Sequence, residues 1–356
     1  MTKRGDPLLL IAGVGILLGV YAAAMLLIKG HGWTANTSSE APWGLQLVTY
    51  IFFVLISAGC TIVNFFGNIF FREQYKPLAT RVVALGLLVA VAGLGALATD
   101  LGRPERMLNF VFSPNIKSPM WGMFLFYIVY IPVIVLEYLD MRKGKNSPRL
   151  MWAAFLIGIA LYLTMGSIFG ITEARPYYFG SFTTLYFLSV AFLGGSALVI
   201  LVAIITQGAR PAVKTAVEPI RKFFMTGLGV LAVVSLWRFV IGRWSNAEGY
   251  EIFRLVELKL LILALIGIVL PYYLAFMKKT SGLIAAAALV LVTQFVSLYG
   301  FVLDGFRIPV FRTLSTPRLA GYSPFLTEIF ILTASACFVV FLYRMAEKKG
   351  MLEPAK

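Results

Sequence analysis

The sequence contains few of the residues that bind redox metals. Its 356 residues include only two cysteines, Cys60 and Cys337, and one histidine, His31. Both cysteines lie inside predicted apolar helices, which argues against a disulfide framework and against a thiolate metal site. A membrane haem with two histidine ligands needs two imidazoles, and the sequence has no Cys-x-x-Cys-His attachment motif. We therefore expect a chain that holds no haem, no iron–sulfur cluster and no other metal.

Charged residues are also scarce, at 13% of the chain against 60% hydrophobic residues. Soluble domains carry roughly 25% charged residues, so this composition is typical of a polytopic membrane protein. A membrane-spanning helix needs about 20 mainly apolar residues. Ten such spans are predicted, near residues 8–28, 47–70, 80–98, 119–138, 150–170, 182–206, 223–242, 254–276, 281–303 and 325–343. No linker or low-complexity run separates them, and the prediction is a single all-α integral membrane domain over residues 1–356.

The net charge of +15 predicts topology rather than a nucleic-acid partner. Lysine and arginine alternate between heavily and lightly loaded connecting segments, which is the pattern of the positive-inside rule. The heavily loaded set includes both ends of the chain and the segments after spans 2, 4, 6 and 8. We expect a multi-pass protein of the cytoplasmic (inner) membrane with both termini in the cytoplasm.

A weak internal repeat relates the second and sixth spans. Residues 50–59 resemble residues 186–195, and both segments run from the outer to the inner side in the predicted topology. A real repeat would relate helices 2–5 to helices 6–9 as two parallel four-helix bundles, flanked by helices 1 and 10. Chance similarity between apolar helices is the other interpretation.

Helix 2 carries a stripe of polar residues on one face. Its six members step by three or four residues, and all but Phe53 can hydrogen-bond: Gln46, Tyr50, Phe53, Ser57, Cys60 and Asn64. The stripe begins at the outer surface, so it can line a quinone pocket at its top and a hydrated proton route below. Hydrogen bonding between helices is the other interpretation. Glu137, at the inner end of helix 4, is expected to be solvated at the interface, with the inner mouth of a proton path as the less favoured role.

Among the ionisable residues within predicted spans near the outer side, Arg238 and Glu257 are the functional candidates. An ionisable group at membrane depth costs about 2.5–3.5 kcal/mol on insertion scales, so such a group is a functional candidate. Arg238 lies about one turn below the outer end of helix 7, and Glu257 belongs to helix 8, which runs back inward. The two side chains are predicted at comparable depth. A structural ion pair between helices 7 and 8 is the alternative to a functional role.

A polar island separates the third and fourth spans on the predicted outer side. Residues 100–106 contain Asp100, Arg103 and Pro104, and Trp121 stands at the start of the next helix. Pro104 is expected to break the third helix, and Asp100 and Arg103 can pair locally. A purely structural loop, with Trp121 as an ordinary interfacial tryptophan, is the competing interpretation.

Residues 100–106, followed by residues 118–122, make the sequence similar to the NrfD/polysulfide-reductase-C family of membrane subunits. The resemblance extends through helices 2 to 9, and the helix count resembles the ten-helix branch with the hydrogenase-2 and Dsr-complex membrane subunits. It implies a haem-free subunit that oxidises menaquinol or reduces menaquinone. Electrons would pass to or from a ferredoxin-like iron–sulfur subunit on the outer face, and a further catalytic subunit or multihaem cytochrome would carry the terminal substrate chemistry.

The resemblance also implies roles for individual residues. Gln46 and Tyr50 match the quinone-contacting positions, although Tyr50 stands where the polysulfide-reductase member is expected to have a histidine. A phenol would then replace an imidazole as the hydrogen-bond partner. Ser57, Arg103 and Trp121 complete the candidate cofactor-binding set.

Quinol oxidation releases two protons, so the site needs an ionisable relay to water. Asp100, or Glu257 held by Arg238, is the candidate proton acceptor. A secondary transporter or ion channel is the alternative function, favoured by the weak repeat and the intramembrane charges. It is opposed by the lack of a Gly/Pro interruption at mid-membrane, since Pro132 and Pro271 lie closer to helix ends.

Overall fold

The computed structural model describes residues 6–30, 32, 35–38, 41–208, 210–246, 249–308 and 321–354. The chain is 81% helical, with no strand among these residues, so the predicted all-α fold is confirmed. Ten of the described helices are long and apolar enough to cross a membrane. They are α1 (Pro7–Lys29), α2 (Leu45–Phe70), α3 (Arg72–Asp100), α4 (Pro119–Arg142), α5 (Pro148–Gly170), α6 (Phe182–Gln207), α7 (Pro211–Trp244), α8 (Glu257–Phe276), α9 (Thr280–Asp304) and α10 (Leu326–Lys348).

Each helix overlaps one predicted span, and two begin well before it. α3 starts at Arg72 and α7 at Pro211, where the sequence is basic rather than apolar. Hydropathy marks where a helix enters the hydrocarbon, whereas backbone hydrogen bonding continues into the polar region. These two helices therefore extend beyond the apolar segments by which the sequence predicts them.

Short connections make consecutive helices antiparallel. A single residue, Phe71, separates α2 from α3. We call one end of the molecule the Asp100 face, which holds the ends of α1, α3, α5, α7 and α9 and the starts of the other five helices. The opposite end is the Arg142 face. Hydrogen bonds fit this arrangement, because Gln46 at the start of α2 meets Thr99 at the end of α3.

α2 lies at the centre of the fold. In its most apolar stretch 89% of residues are buried by protein, against 17% in α1, α4 and α8. It contacts α3, α5, α6, α9 and α10, while α1 packs mainly against α10. A helix surrounded by protein rather than lipid can carry polar side chains at membrane depth. The polar stripe of the sequence therefore faces other helices.

α2 and α6 cross with their backbones in direct contact. A side chain on Gly59 would collide with the carbonyl of Ala191, and one on Gly195 would collide with the backbone of Gly59. Small residues at such a crossing are how membrane helices approach closely. Gly59 and Gly195 are also equivalent positions of the weak repeat, which gives the repeat a structural counterpart. The division into two four-helix bundles remains a prediction.

α8 is interrupted near its middle, next to Pro271, contrary to the expectation that no span is interrupted at mid-membrane. It consists of Glu257–Ala264, a five-residue π-helical segment Leu265–Val269, and Leu270–Phe276. Pro271 has no N–H to donate to the carbonyl of Gly267, four residues earlier, so the regular helical ladder cannot continue there. Segments of this kind are frequent at functional sites.

The glycine crossing yields a stability prediction. Gly59→Ala should lower the thermal stability of the purified protein, because overpacking of a tight contact costs about 1–3 kcal/mol. Gly95→Ala is the matched control, since no atom lies within 4 Å of the added methyl group. Thermal unfolding in detergent should show a lower midpoint for Gly59→Ala alone. Equal midpoints for the two variants would contradict the close crossing.

Candidate functional site

Gln46 is the first polar residue at the Asp100 end of α2 and is completely buried. Its Nε2 donates to the carbonyl of Thr99, at 3.3 Å, which holds the carboxamide against the end of α3. Its Oε1 is buried and has no hydrogen-bond partner among the described residues. An unsatisfied buried acceptor costs about 1–3 kcal/mol. This oxygen is therefore suited to accept a hydrogen bond from a ligand hydroxyl.

Tyr50 lies one turn further along α2 and pairs with a tyrosine of α4. The hydroxyls of Tyr50 and Tyr127 are 2.8 Å apart, and the Tyr50 hydroxyl also reaches the sulfur of Met123 at 3.4 Å. Both tyrosines are buried. Tyr127 is not among the residues predicted from the sequence, although Met123, Tyr127 and Tyr130 share a helix face at spacings of four and three residues. This spacing in the sequence could have identified Tyr127 as a residue of the site.

Further polar contacts follow α2 towards the Arg142 face. Thr61 and Tyr130 hydroxyls are 2.7 Å apart, and Asn64 donates to a carboxylate oxygen of Glu137 at 2.9 Å. The contacts on α2 and α4 advance in the same order, because these helices run parallel. We call the set the polar column: it comprises Gln46, Tyr50, Ser57, Thr61, Asn64, Tyr127, Tyr130 and Glu137.

Glu137 differs from its expected position. It was predicted to be solvated at the interface, yet only 3% of its surface is exposed. Its contact with Asn64 continues to Asn68 and then to Asn146 in the connection between α4 and α5, through bonds of 3.0 and 2.9 Å. Glu137 is thus buried but linked by amide side chains to the Arg142 face.

Ser57 lies too deep to share a ligand headgroup with Gln46. Eleven residues of helix correspond to about 16 Å. The Ser57 hydroxyl donates to the carbonyl of Gly86 in α3, at 2.8 Å. The structure therefore places this predicted cofactor-binding residue inside the polar column rather than at its head.

The polar island forms an ordered cap beside α4. Asp100 is half-buried at the last position of α3, and residues Pro104–Leu108 and Asn109–Phe112 form two short helical turns. Trp121 donates its indole N–H to the carbonyl of Phe110, at 2.9 Å. The predicted ligand residue Trp121 thus ties this cap to α4.

The outer surface of the cap is both basic and apolar. Arg103, Arg106 and Lys117 are exposed. Large apolar side chains are exposed beside them: Leu108, Val111, Phe112 and Ile116. Phe112 is 79% exposed, which is unusual for a residue of an ordered helical turn. Apolar side chains interleaved with arginine are typical of binding surfaces.

Arg238 and Glu257 do not pair with each other, which corrects the expectation from the sequence. Glu257 lies 3.4 Å from Arg243, with both side chains more than a third exposed. Arg238 and Arg243 are five residues apart, or about 140° around the helix, so they face different neighbours. The guanidinium of Arg238 instead donates to the carbonyl of Tyr177, at 2.9 Å.

Aromatic rings surround Arg238. Its guanidinium carbon lies 4.4 Å from the Tyr177 ring centre and 5.0 Å from that of Phe301, with three more rings within 5.8 Å. Burial raises the pKa of the Tyr177 phenol, and the Arg238 charge only partly opposes this. None of these contacts involves Gln46, Tyr50 or Asp100. The predicted single site is therefore divided between α2–α4 and α6–α9.

Comparison with known proteins identifies related membrane proteins. The sequence model described as "Polysulphide reductase, NrfD" matches residues 33–344. The chain is 24% identical over 270 residues to a subunit of the selenate reductase of Mesobacillus selenatarsenatis, covering 64% of this chain and 63% of that protein.

Two further relatives are matched over a smaller share of their length. The chain is 28% identical over 191 residues to a Halobacterium salinarum protein described as a membrane subunit of dimethyl sulfoxide reductase, covering 46% of this chain and 43% of that protein. It is 22% identical over 210 residues to an Hdr-like menaquinol oxidoreductase integral membrane subunit of Archaeoglobus fulgidus, covering 55% and 51% respectively. The matched region spans less than two thirds of each relative.

The contact of Trp121 with Phe110 predicts a change in the cap. Trp121→Phe removes a hydrogen bond worth about 0.5–1.5 kcal/mol, so the cap should open about 2- to 12-fold more often. Tryptic cleavage after Arg106 should accelerate by that factor. Trp237→Phe, at an exposed tryptophan of α7, is the control. Unchanged cleavage in Trp121→Phe would show that this bond does not hold the cap.

Proposed function

Because the chain belongs to the NrfD family of polysulphide reductases, we propose that it is the quinone-reactive membrane subunit of a multisubunit respiratory oxidoreductase. It exchanges electrons between menaquinol or menaquinone and an iron–sulfur subunit docked on the Asp100 face. A further catalytic subunit or multihaem cytochrome performs the terminal reaction. The unpartnered Oε1 of Gln46, at the head of the polar column, is the observation that carries this proposal.

The residues at the head of the polar column suit the two chemical states of a quinone. The Gln46 Oε1 accepts from a quinol hydroxyl, and the paired hydroxyls of Tyr50 and Tyr127 offer a donor to a quinone carbonyl. Both phenols are buried and serve as neutral partners. They orient the ring, while the quinone itself undergoes the redox change.

Asp100 is the proton acceptor in this proposal. Menaquinol gives up two electrons and two protons when it is oxidised to menaquinone. The electrons leave to the iron–sulfur subunit, and the half-buried Asp100 carboxylate, next to Thr99, can receive the two protons one after the other and return each to water. In the reverse direction the same carboxyl group supplies the two protons in turn.

The cap provides the docking surface for the iron–sulfur subunit. Its exposed arginines and apolar side chains lie next to Asp100, so a partner bound there stands close to the head of the polar column. The charge pattern supports this position for the partner. Basic residues concentrate at the Arg142 face, as the positive-inside rule expects of a cytoplasmic side, so in the proposed orientation the Asp100 face is extracytoplasmic.

The polar column is also the basis for proposing that protons move between the two faces. Hydroxyl and carboxyl groups occur at successive depths from Gln46 to Glu137, and Asn68 and Asn146 continue to the Arg142 face. We include proton translocation in the proposed function on this basis. The family relationship favours this redox role over the transporter hypothesis.

The role of Asp100 is tested by replacing it in the assembled complex. Asp100→Asn should lower quinol-dependent turnover about 100-fold or more, because general acid–base catalysis typically contributes 10²–10⁴-fold. Electron delivery to the catalytic partner from an artificial donor should be unchanged. Glu105→Gln, at an exposed position of the same cap, is the matched control. Full quinol activity in Asp100→Asn would reject the assignment.

Proton movement is tested separately at the other end of the column. Glu137→Gln keeps the hydrogen-bonding shape but cannot carry a proton, so the number of protons translocated per electron should fall in proteoliposomes. Quinol oxidation should continue, because Glu137 lies far from the quinone. Glu73→Gln, at an exposed position of the same face, should leave the ratio unchanged. An unaltered ratio in Glu137→Gln would exclude this route.

A further inference from the structure

A cavity of about 340 Å³ lies among α6, α7, α8 and α9, away from the polar column. Residues lining it run from Lys259 to Val269 along α8 and from Thr293 to Asp304 along α9. At 1.5 Å per residue these ranges span about 15 Å, so the cavity is a slot parallel to the helices. Ligand sites in proteins occupy about 300–1,000 Å³, and this slot lies within that range.

One end of the slot is polar. Lys259 and Asp304 form an ion pair at 2.7 Å, and the Asp304 side chain is only 7% exposed. Arg238 lines the same end. Aromatic rings surround its guanidinium group, which donates a hydrogen bond to the Tyr177 carbonyl. These three residues lie near the ends or starts of α7, α8 and α9 at the Asp100 face. The slot thus offers two cationic donors and one carboxylate acceptor at a single end.

The other end of the slot lies near mid-membrane and is mainly apolar, with Thr293 and Gln294 as its polar residues and the Gln294 Oε1 without a partner among the described residues. It is formed beside the π-helical segment of α8, where Gly267 packs against Thr293 and a side chain at residue 267 would collide with it. Val190, Ile268 and Val269 also line this end. The irregular helix therefore shapes the deep part of the slot.

The slot opens towards the bilayer. Leu236, Leu261 and Val269 line it and are also 63, 50 and 57% exposed, respectively. Residues that contact both the cavity and the exterior mark its mouth, and these lie on α7 and α8 within their apolar stretches. A ligand can therefore enter from the membrane between these helices.

We propose that this slot binds the headgroup of a second isoprenoid quinone, distinct from the quinone exchanged at the head of the polar column. A ring with two oxygens and an apolar tail matches a slot with donors and an acceptor at one end and mainly apolar walls along its length. A phospholipid phosphate fits less well, because it would lie beside the buried Asp304 carboxylate. The inference rests on the proposed function in one respect, which is that the quinone in the slot comes from the same membrane as the quinone that the protein oxidises or reduces.

The number of quinones bound per chain tests the inference. The full-length protein is purified into nanodiscs that contain menaquinone, and bound molecules are counted by native mass spectrometry. We expect two menaquinones per chain in the wild type. Ser297→Phe, which fills the slot from α9, should leave one. Val296→Phe, at the neighbouring position, which is 40% exposed and outside the slot, should leave two.

A second variant and the identity of the lost molecule complete the test. Ala264→Leu fills the slot from α8 and should also leave one menaquinone if Ser297→Phe does not fold. A menaquinone count that neither folded variant lowers by one relative to the wild type would overturn the inference, whereas a wild-type count of one that falls to zero in the variants would place the single quinone in the slot. Loss of a phospholipid instead of a menaquinone would overturn it in favour of a lipid site. Failure of the proposed function would appear elsewhere, as full quinol activity in Asp100→Asn.

Discussion

The structure depends on one constraint, which is that the bilayer interior offers no water to polar groups. A buried donor or acceptor there must find a partner in the protein. α2 satisfies this by lying at the centre of the fold, where α3 and α4 supply hydroxyl, carbonyl and carboxyl partners for its polar stripe. The one stripe oxygen left without a described partner, on Gln46, stands out because its neighbours are paired.

The same constraint explains why the charged residues of α7–α9 take the positions they do. Lys259 and Asp304 neutralise each other at 2.7 Å, and Arg238 is held by a carbonyl and aromatic ring faces rather than by a carboxylate. Within α8 and α9 the charged side chains therefore lie near the Asp100 face, whereas α7 also carries the Arg221–Glu218 ion pair towards the Arg142 face. The middle of the bilayer is crossed by hydroxyls, amides and the irregular helix α8.

Hydropathy was enough to predict the ten helices, because length and apolar content alone decide whether a helix can span a bilayer. Periodicity on α2 also grouped residues of the polar stripe, such as Tyr50, Ser57 and Asn64, that hydrogen-bond to α3 and α4. The partners were not predictable, since the sequence does not state which helix lies next to which. Tyr127 was missed for that reason, and Glu257 was assigned to Arg238 although it lies beside Arg243. Glu137 was expected in water because it is close to a helix end, but Asn64 and its neighbours enclose it. The π-helical segment of α8 was not predictable, because hydropathy carries no information about backbone hydrogen bonding.

The contact between Gly59 and Gly195 has a mechanical consequence. Where two helices touch backbone to backbone, neither can slide or rotate past the other without a steric collision, so the crossing acts as a fixed pivot at the centre of the molecule. A transport mechanism in which one half of the protein rocks against the other would need a looser helix–helix contact at this crossing. A protein with such a rigid crossing is suited to a function in which the helices stay fixed and only electrons, protons and the small molecules that carry them move.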